Sequence, residues 1–203
     1  MRNFKTRGLI PLLAVGAIAT FGTATKWTWP PPEPLAEATS FLSLDPSVIG
    51  ESQQYWLVPG SVYDGDTLRV TDGSEEIKIR LCGVDSPEKE QPMGIEARDH
   101  LRSLIAQGDG SLIVVPTGHY SYGRPVVDLF VPLAGTEEEI YLNGQMIVDG
   151  MAYHDARFSH QCPDGDLLAR VEERAKASGK GVWMNPDAER PWDFRRRMRQ
   201  RSE

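Results

Sequence analysis

An α+β fold is predicted for most of this chain, and three patterns support that class. Between Tyr55 and Leu81, apolar and polar residues alternate with the period of two that is typical of β-strands. After Pro92 the apolar residues recur at helical spacing, and beyond Gly108 short strand patterns alternate with two further helical patterns. Strands followed by helices interspersed among more strands indicate an α+β domain.

The first part of the domain is predicted to form β-strands, with a hairpin turn at Asp72-Gly73 between the last two. This dipeptide favours two-residue hairpin loops, because both of its residues tolerate a positive φ. A hairpin at this turn places Asp66 opposite positions 79 to 81, so we expect Asp66 and Arg80 to be neighbours. The strand segments predicted here are Trp56–Val58, Ser61–Tyr63, Leu68–Val70 and Ile77–Leu81.

The second part contains the predicted helices. The first helix follows Pro92, ends before Gly108 and presents one apolar face: Ala97, Leu101, Leu104 and Ile105. Gly179 is expected near the C-terminus of the last one. The remaining predicted elements are strands at Ser111–Val115, Val126–Val131 and Glu139–Tyr141, and helices at Leu142–Asp149 and Leu167–Ala177.

Length and charge exclude several classes of protein. The 203 residues fit one domain with appendages, and 2 cysteines are too few for a disulfide-rich mini-protein. The net charge is −7, and the first 25 residues hold three basic residues and no acidic one. Removing those three from the 22 basic residues leaves 19 against 29 acidic residues, a net charge of −10. Such a domain does not attract nucleic acid by bulk charge, so any polyanion must be held locally.

The N-terminus has the pattern of an export signal. A basic start is followed by the uncharged stretch Gly8–Thr25, which contains small residues near Ala24. We therefore expect a secreted or periplasmic protein; the alternative is a retained membrane anchor formed by residues 8–25. The predicted organisation is a leader at 1–25, a Pro-rich linker at 26–52, the folded domain at 53–186 and an Arg-rich tail at 187–203.

Carboxylates cluster around the predicted hairpin. Asp66, Asp85 and Glu88 approach one another if the hairpin and the following turn fold as predicted, and three carboxylates repel unless a cation or protons intervene. Oxygen ligands without His or Cys favour Ca²⁺ or Mg²⁺. Arg80 points a guanidinium fork towards the same place, and that fork matches a phosphate. Metal, arginine and carboxylates together indicate phosphoryl chemistry.

Four motifs, in this order, resemble the staphylococcal nuclease family. The resemblance covers about residues 55 to 186. It implies an OB-fold, a five-stranded Greek-key β-barrel with three packed α-helices. It also implies a Ca²⁺-dependent nuclease that hydrolyses DNA and RNA with little sequence preference. The motifs are Asp64-Gly65-Asp66-Thr67, the run from Arg80 to Glu88, Tyr122-Gly123-Arg124 and Gly181-Val182-Trp183.

The resemblance also implies a role for each site residue. Asp66 and Asp85 correspond to the Ca²⁺ carboxylates, with the backbone carbonyl of Ser86 as a further ligand. Glu88 corresponds to the residue that activates or orients the attacking water.

Three further residues of the motifs correspond to substrate contacts. Arg80 and Arg124 hold the scissile phosphate and stabilise the charge that builds on its oxygens. Tyr122 contacts the neighbouring phosphate or sugar. A monomer is expected, with no obligate protein partner.

Alternatives remain open for function. The same fold also supports a non-catalytic OB-fold module that binds nucleic acid or oligosaccharide. An envelope-tethered structural protein is a third possibility, supported by the N-terminal segment alone.

Two features outside the motifs also remain open. Cys82 and Cys162 form a disulfide or remain free buried thiols. The segment Arg190–Arg201 contacts nucleic acid or anionic lipid, docks on the domain through its aromatic residues, or is a solvated terminus.

Overall fold

The computed structural model describes residues 52–202. The predicted leader at 1–25 and all but the last residue of the predicted linker lie outside the described residues. Within residues 52–202, no helix has both the length and the apolar character that crossing a bilayer requires.

The strands are β1 Gln53–Leu57, β2 Thr67–Thr71, β3 Glu76–Leu81, β4 Val84–Asp85, β5 Ser111–Ser121, β6 Arg124–Pro132, β7 Glu139–Tyr141 and β8 Tyr153–His154. Six of them form one mixed sheet in the order β3-β2-β1-β5-β6-β7. Neighbouring strands are antiparallel, and β3 also pairs with β6 in parallel, so the pairings lead from β3 through the sheet and back to β3. A second sheet pairs β4 with β8.

Four α-helices lie among the described residues: α1 Gly94–Ile105, α2 Leu142–Val148, α3 Gly165–Ser178 and α4 Pro191–Arg201. The apolar faces of α1, α2 and α3 join the inward side chains of the sheet in one core, which includes Leu68, Leu101, Leu129, Met146 and Leu168. Gly179 ends α3 in the left-handed conformation, as predicted. This α+β arrangement is consistent with the predicted OB-fold.

The structure differs from the sequence predictions in several elements. The short strands β4 and β8 were not predicted, and β5 continues to Ser121, beyond the predicted end at Val115. Ser61–Tyr63 is a loop and not a strand, because the Ser61 hydroxyl donates to the carbonyl of Arg69 and accepts from its N–H, which takes the place of a regular ladder. The prediction of three helices omits α4, which lies in the predicted Arg-rich tail.

The sheet register brings one end each of β2, β3 and β6 close together. Thr67 on β2 is opposite Arg80 on β3, and Arg80 is opposite Val126 on β6. Asp66 precedes β2 directly, and Arg124 is the first residue of β6. These ends therefore meet at one place on the surface.

Candidate active site

Asp66 and Arg80 are direct partners. The carbonyl of Asp66 accepts a hydrogen bond from the N–H of Leu81 at 3.0 Å, which confirms the predicted hairpin register. The Nη1 atom of Arg80 donates to Oδ1 of Asp66 at 2.7 Å. The other oxygen of Asp66 accepts from the N–H of Ser86 at 2.9 Å. A buried carboxylate with a charged partner and a backbone donor is fixed in orientation.

Gly65 permits this arrangement by its lack of a side chain. A Cβ at Gly65 would lie 2.8 Å from the Cβ of Ser86 and 3.0 Å from that of Ala97, so a larger residue would push the two segments apart. The Oδ1 atom of Asp64 accepts from the N–H of Asp66 at 3.0 Å and so closes the turn.

Asp85 is the most buried carboxylate of the site, with none of its side chain exposed. It lies on the short strand β4, opposite Tyr153 of β8. The Nη2 atom of Arg80 donates to Oδ1 of Asp85 at 3.1 Å, so one guanidinium joins Asp66 to Asp85. The predicted convergence of Asp66, Arg80 and Asp85 is therefore present.

Glu88 lies in the loop that leads to α1. Its N–H donates to Oε1 of Gln91 at 3.0 Å, and the Gln91 amide donates onward to the carbonyl of Glu189 at 2.9 Å. The Glu88 carboxylate is partly exposed and accepts a hydrogen bond from Arg195 at 2.8 Å. Gln91 thus connects the loop of Glu88 to the segment that precedes α4.

Arg124 reaches the site through Thr67. Its Nη1 atom donates to the Thr67 hydroxyl at 3.3 Å, and that hydroxyl donates to Oδ1 of Asp66 at 2.8 Å. Tyr122 and Gly123 form the turn between β5 and β6, and both have positive φ, as in a type I′ hairpin. The Tyr122 side chain is 93% exposed, so it is available to a ligand beside Arg124.

Arg195 of α4 is a site residue that the sequence analysis did not identify. Its Nη1 atom donates to Asp85 Oδ1 at 2.9 Å and to Glu88 Oε1 at 2.8 Å, and its Nη2 atom donates to Asp85 Oδ2 at 2.7 Å. Arg157 lies 3.6 Å from the same Oδ2. Asp85 is therefore surrounded by three guanidinium groups.

Burial and charge act in opposite directions on these carboxyl groups. Burial opposes ionisation of Asp66, but Arg80 and the donors on Ser86 and Thr67 outweigh it and hold its pKa below the usual value. Burial raises the pKa of Asp85, and Arg195 and Arg80 oppose that rise. For Asp64, burial and the negative charge of Asp66 raise the pKa to about 7.

The donor set fits a hard cation in its chemistry. Asp66 and Asp85 offer buried carboxylate oxygens whose present partners are cationic, and such oxygens suit Ca²⁺. Within residues 52–202, however, no three acidic, His or Cys side chains converge as a metal-ligand group, because guanidinium groups lie between the carboxylates. Ser86 contacts Asp66 through its N–H and hydroxyl; ligation by its carbonyl stays a prediction.

The two cysteines form a disulfide, which resolves the alternative left open by the sequence. Cys82 follows β3, and Cys162 precedes α3. The bond joins the segment that carries Arg80 and Asp85 to the start of α3.

Comparison with known sequences agrees with this geometry. Residues 78–185 match the family described as Staphylococcal nuclease homologue. The chain is 28% identical to Micrococcal nuclease of Shigella flexneri, over 66% of this chain and 77% of that protein. It is 29% identical to Protein ParB of Escherichia coli, over 69% of this chain and 78% of that protein.

A plant relative is longer. The Probable staphylococcal-like nuclease CAN3 of Oryza sativa subsp. japonica is 32% identical over 62% of this chain, and the match spans only 30% of the plant protein.

The family match, together with a relative named nuclease, identifies this α+β chain as a phosphodiester hydrolase. The family match extends over more than half of the chain and includes Arg80, Asp85, Glu88 and Arg124. The chain belongs to the staphylococcal nuclease family.

Proposed function

We propose that this nuclease is Ca²⁺-dependent and hydrolyses both DNA and RNA with little sequence preference. The observation that carries the proposal is the guanidinium of Arg80, which joins Asp66 to Asp85 at the strand end where Arg124 also lies. Carboxylates for a cation and arginines for a phosphate are thus within one site.

Arg80 and Arg124 are the groups that bind the phosphodiester. A guanidinium fork matches the two non-bridging oxygens of a phosphate and stabilises them as negative charge increases. Contacts of this kind read the backbone and carry no base information, which supports low sequence preference.

Glu88 is the general base that activates the attacking water. Its carboxylate accepts a proton as the water oxygen forms a bond to phosphorus, and the P–O bond to the leaving oxygen breaks in line. The leaving oxygen then takes up a proton. One strand becomes two, one ending in a phosphate monoester and the other in a hydroxyl.

Asp66 and Asp85, with the Ser86 carbonyl, would hold the cation. When bound, Ca²⁺ supplies positive charge that neutralises the phosphate oxygens in the transition state. Asp66 keeps its orientation for this role through the N–H of Ser86.

The test is digestion of supercoiled plasmid and of single-stranded RNA by the full chain, with Ca²⁺ or with EGTA. We expect both substrates to be degraded with Ca²⁺ and to remain intact with EGTA. Glu88→Gln should lower the rate by about 10²- to 10⁴-fold, because the carboxylate no longer accepts the proton. The matched control is Glu90→Gln, an exposed carboxylate two residues away, which should leave the rate unchanged.

Other outcomes overturn the proposal. Retention of intact nucleic acid on a gel would indicate the non-catalytic binding module. Activity that is equal in Ca²⁺ and in EGTA would overturn the calcium requirement, and degradation of only one substrate would overturn the broad specificity.

We also propose that the protein is exported. The support is the leader-like composition of residues 1–25 together with the disulfide between Cys82 and Cys162, since disulfides persist mainly in oxidising compartments. Fractionation of cells that produce the full chain, with mass spectrometry of its N-terminus, tests this. Recovery of uncleaved chain in the cytosol would overturn it.

A further inference from the structure

Arg195 is the site residue to which the proposed reaction assigns no role. It lies on α4, more than a hundred positions after Asp85 and Glu88 in the sequence, yet it bonds both oxygens of Asp85 and one oxygen of Glu88. One arginine therefore pairs with both Asp85, which is predicted to bind the cation, and Glu88, which is predicted to activate the water.

The start of α4 is fixed to the domain by aromatic contacts. The guanidinium of Arg190 lies 4.3 Å from the ring centre of Tyr153 and 4.6 Å from that of Trp183. The ring of Trp192 meets Tyr153 edge to face at 6.1 Å. These contacts keep Arg195 within side-chain reach of the site even when its own hydrogen bonds break.

The rest of α4 is held weakly. Pro191 is its only buried residue, so the helix has no apolar face in the core. The Arg195 side chain is 31% exposed, and its contacts in the site are polar. Hydrogen bonds and ion pairs can exchange partners without opening the core, so Arg195 can leave Asp85 when an incoming cation compensates the charge of that buried carboxylate.

Arg195 and a divalent cation cannot share the same oxygens. Both oxygens of Asp85 are bonded to Arg195, and none of that carboxylate is exposed. A guanidinium and a dication at one carboxylate repel each other over a few ångströms in a poorly solvated site. Cation binding at Asp85 therefore requires that Arg195 move.

We propose that Arg195 is a third phosphate-binding arginine, which neutralises Asp85 and Glu88 in the free enzyme and transfers to a phosphate of the nucleic acid when the cation binds Asp85. The inference rests on the proposed function. A guanidinium displaced from carboxylates, tethered at the rim of the site, finds a similar bidentate anion in a phosphodiester. Arg195 thereby joins Arg80 and Arg124, the two arginines of the sheet, in binding phosphate.

The test compares the full-length wild type with Arg195→Gln and measures Ca²⁺ binding and catalysis separately. Isothermal titration with Ca²⁺ alone, without nucleic acid, should show the variant binding about fivefold more tightly, because the competing charge is gone. Steady-state digestion at saturating Ca²⁺ should show KM for DNA roughly tenfold higher with kcat little changed, because one charged contact to the substrate is lost.

Arg196→Gln is the matched control. Arg196 is the next residue of the same helix, and its partner is the exposed Asp193. This variant should keep the wild-type Ca²⁺ affinity and KM. Arg195→Lys retains a charge without the fork, so it should fall between the wild type and Arg195→Gln in both measurements.

The results separate failure of this inference from failure of the proposed function. A wild type that does not digest nucleic acid with Ca²⁺ rejects the proposed function and the inference with it. An active wild type with unchanged or weaker Ca²⁺ binding in Arg195→Gln rejects the competition. Tighter Ca²⁺ binding with an unchanged or lower KM rejects the phosphate contact and shows that Arg195 only obstructs the site.

Discussion

Asp85 and Asp128 are both deeply buried aspartates, and they differ in their partners. Asp85 is surrounded by three arginines. Asp128, on β6, accepts hydrogen bonds from the Tyr141 hydroxyl at 2.9 Å and the Asn143 amide at 3.2 Å. Burial raises the pKa of both carboxyl groups, that of Asp128 to about 7. Arginine partners oppose this rise at Asp85, whereas the neutral Tyr141 hydroxyl opposes it at Asp128, so burial alone does not distinguish the carboxylate of the proposed site from the structural one.

The largest difference in activity between the two clusters is expected when Arg80 is substituted. Arg80→Gln removes the guanidinium that joins Asp66 to Asp85 and that we propose binds the phosphate, so kcat/KM on DNA should fall about 10²- to 10³-fold. The corresponding change in the structural cluster, Asp128→Asn, should leave activity within about threefold, because Asp128 contacts no site residue that binds substrate. Steady-state assays on both variants make the measurement.

Folding must be checked in the same variants, because Arg80→Gln leaves two buried carboxylates with less compensation. Arg80→Lys keeps the charge, and thermal unfolding shows whether it folds. Equal activity losses in Arg80→Lys and Asp128→Asn would contradict the distinction between the two clusters.

The contribution of Asp128 to the free energy of unfolding is expected to depend on pH. The pKa of Asp128 rises from 3.8 to about 7 on folding, so the folded state binds its proton more tightly than the unfolded state does. The stability that this group contributes is complete below pH 3.8 and is lost as pH rises to 7. Relative to Asp128→Asn, which does not titrate, the wild type should lose up to about 4 kcal/mol of unfolding free energy over this range.

Urea titrations of both proteins from pH 4.5 to 7.5 test this. Other groups that titrate in the range, including Asp64, are present in both proteins and cancel in the difference. A difference that does not change with pH would show that Asp128 is ionised throughout.

The smallest effect is expected for Tyr141→Phe. The change removes the hydroxyl that donates to Asp128 and keeps the ring, which stacks on Phe130 at 5.0 Å. The cost should be about 1 kcal/mol. It should be larger at pH 7.5 than at pH 4.5, because the hydroxyl favours the ionised form of Asp128. Chemical denaturation at the two pH values measures it, and the opposite order would contradict the assignment.

Local sequence signals predicted the sheet-based half of the site. The Asp72-Gly73 signal located the hairpin, whose connection has four residues because Thr71 pairs with Glu76, and the observed register puts Asp66 beside Arg80. The apolar period after Pro92 located α1. These features depend on residues within about twenty positions of one another, where turn type and periodicity determine geometry.

For the helix-based half, docking of the Arg-rich segment through its aromatic residues was one of three alternatives left open, and Trp192 does pack on Tyr153. The role of Arg195 was not predicted, because it depends on distant contacts. Arg195 meets Asp85 across 110 positions, and the start of α4 is held by contacts of Arg190 and Trp192 with Tyr153, which is also distant in the sequence. The usable signal was Pro191, since proline at the first position of a helix is common and marks the segment as an ordered element.

The disulfide has a practical consequence for anyone who produces this enzyme. Cys82 lies three residues before Asp85, and its bond to Cys162 closes a loop of 80 residues. By loop-closure entropy, such a crosslink is worth about 4 to 5 kcal/mol. Material made in a reducing host or stored with dithiothreitol would lose that constraint. Kinetic constants are therefore comparable only between preparations that contain the same fraction of free thiol.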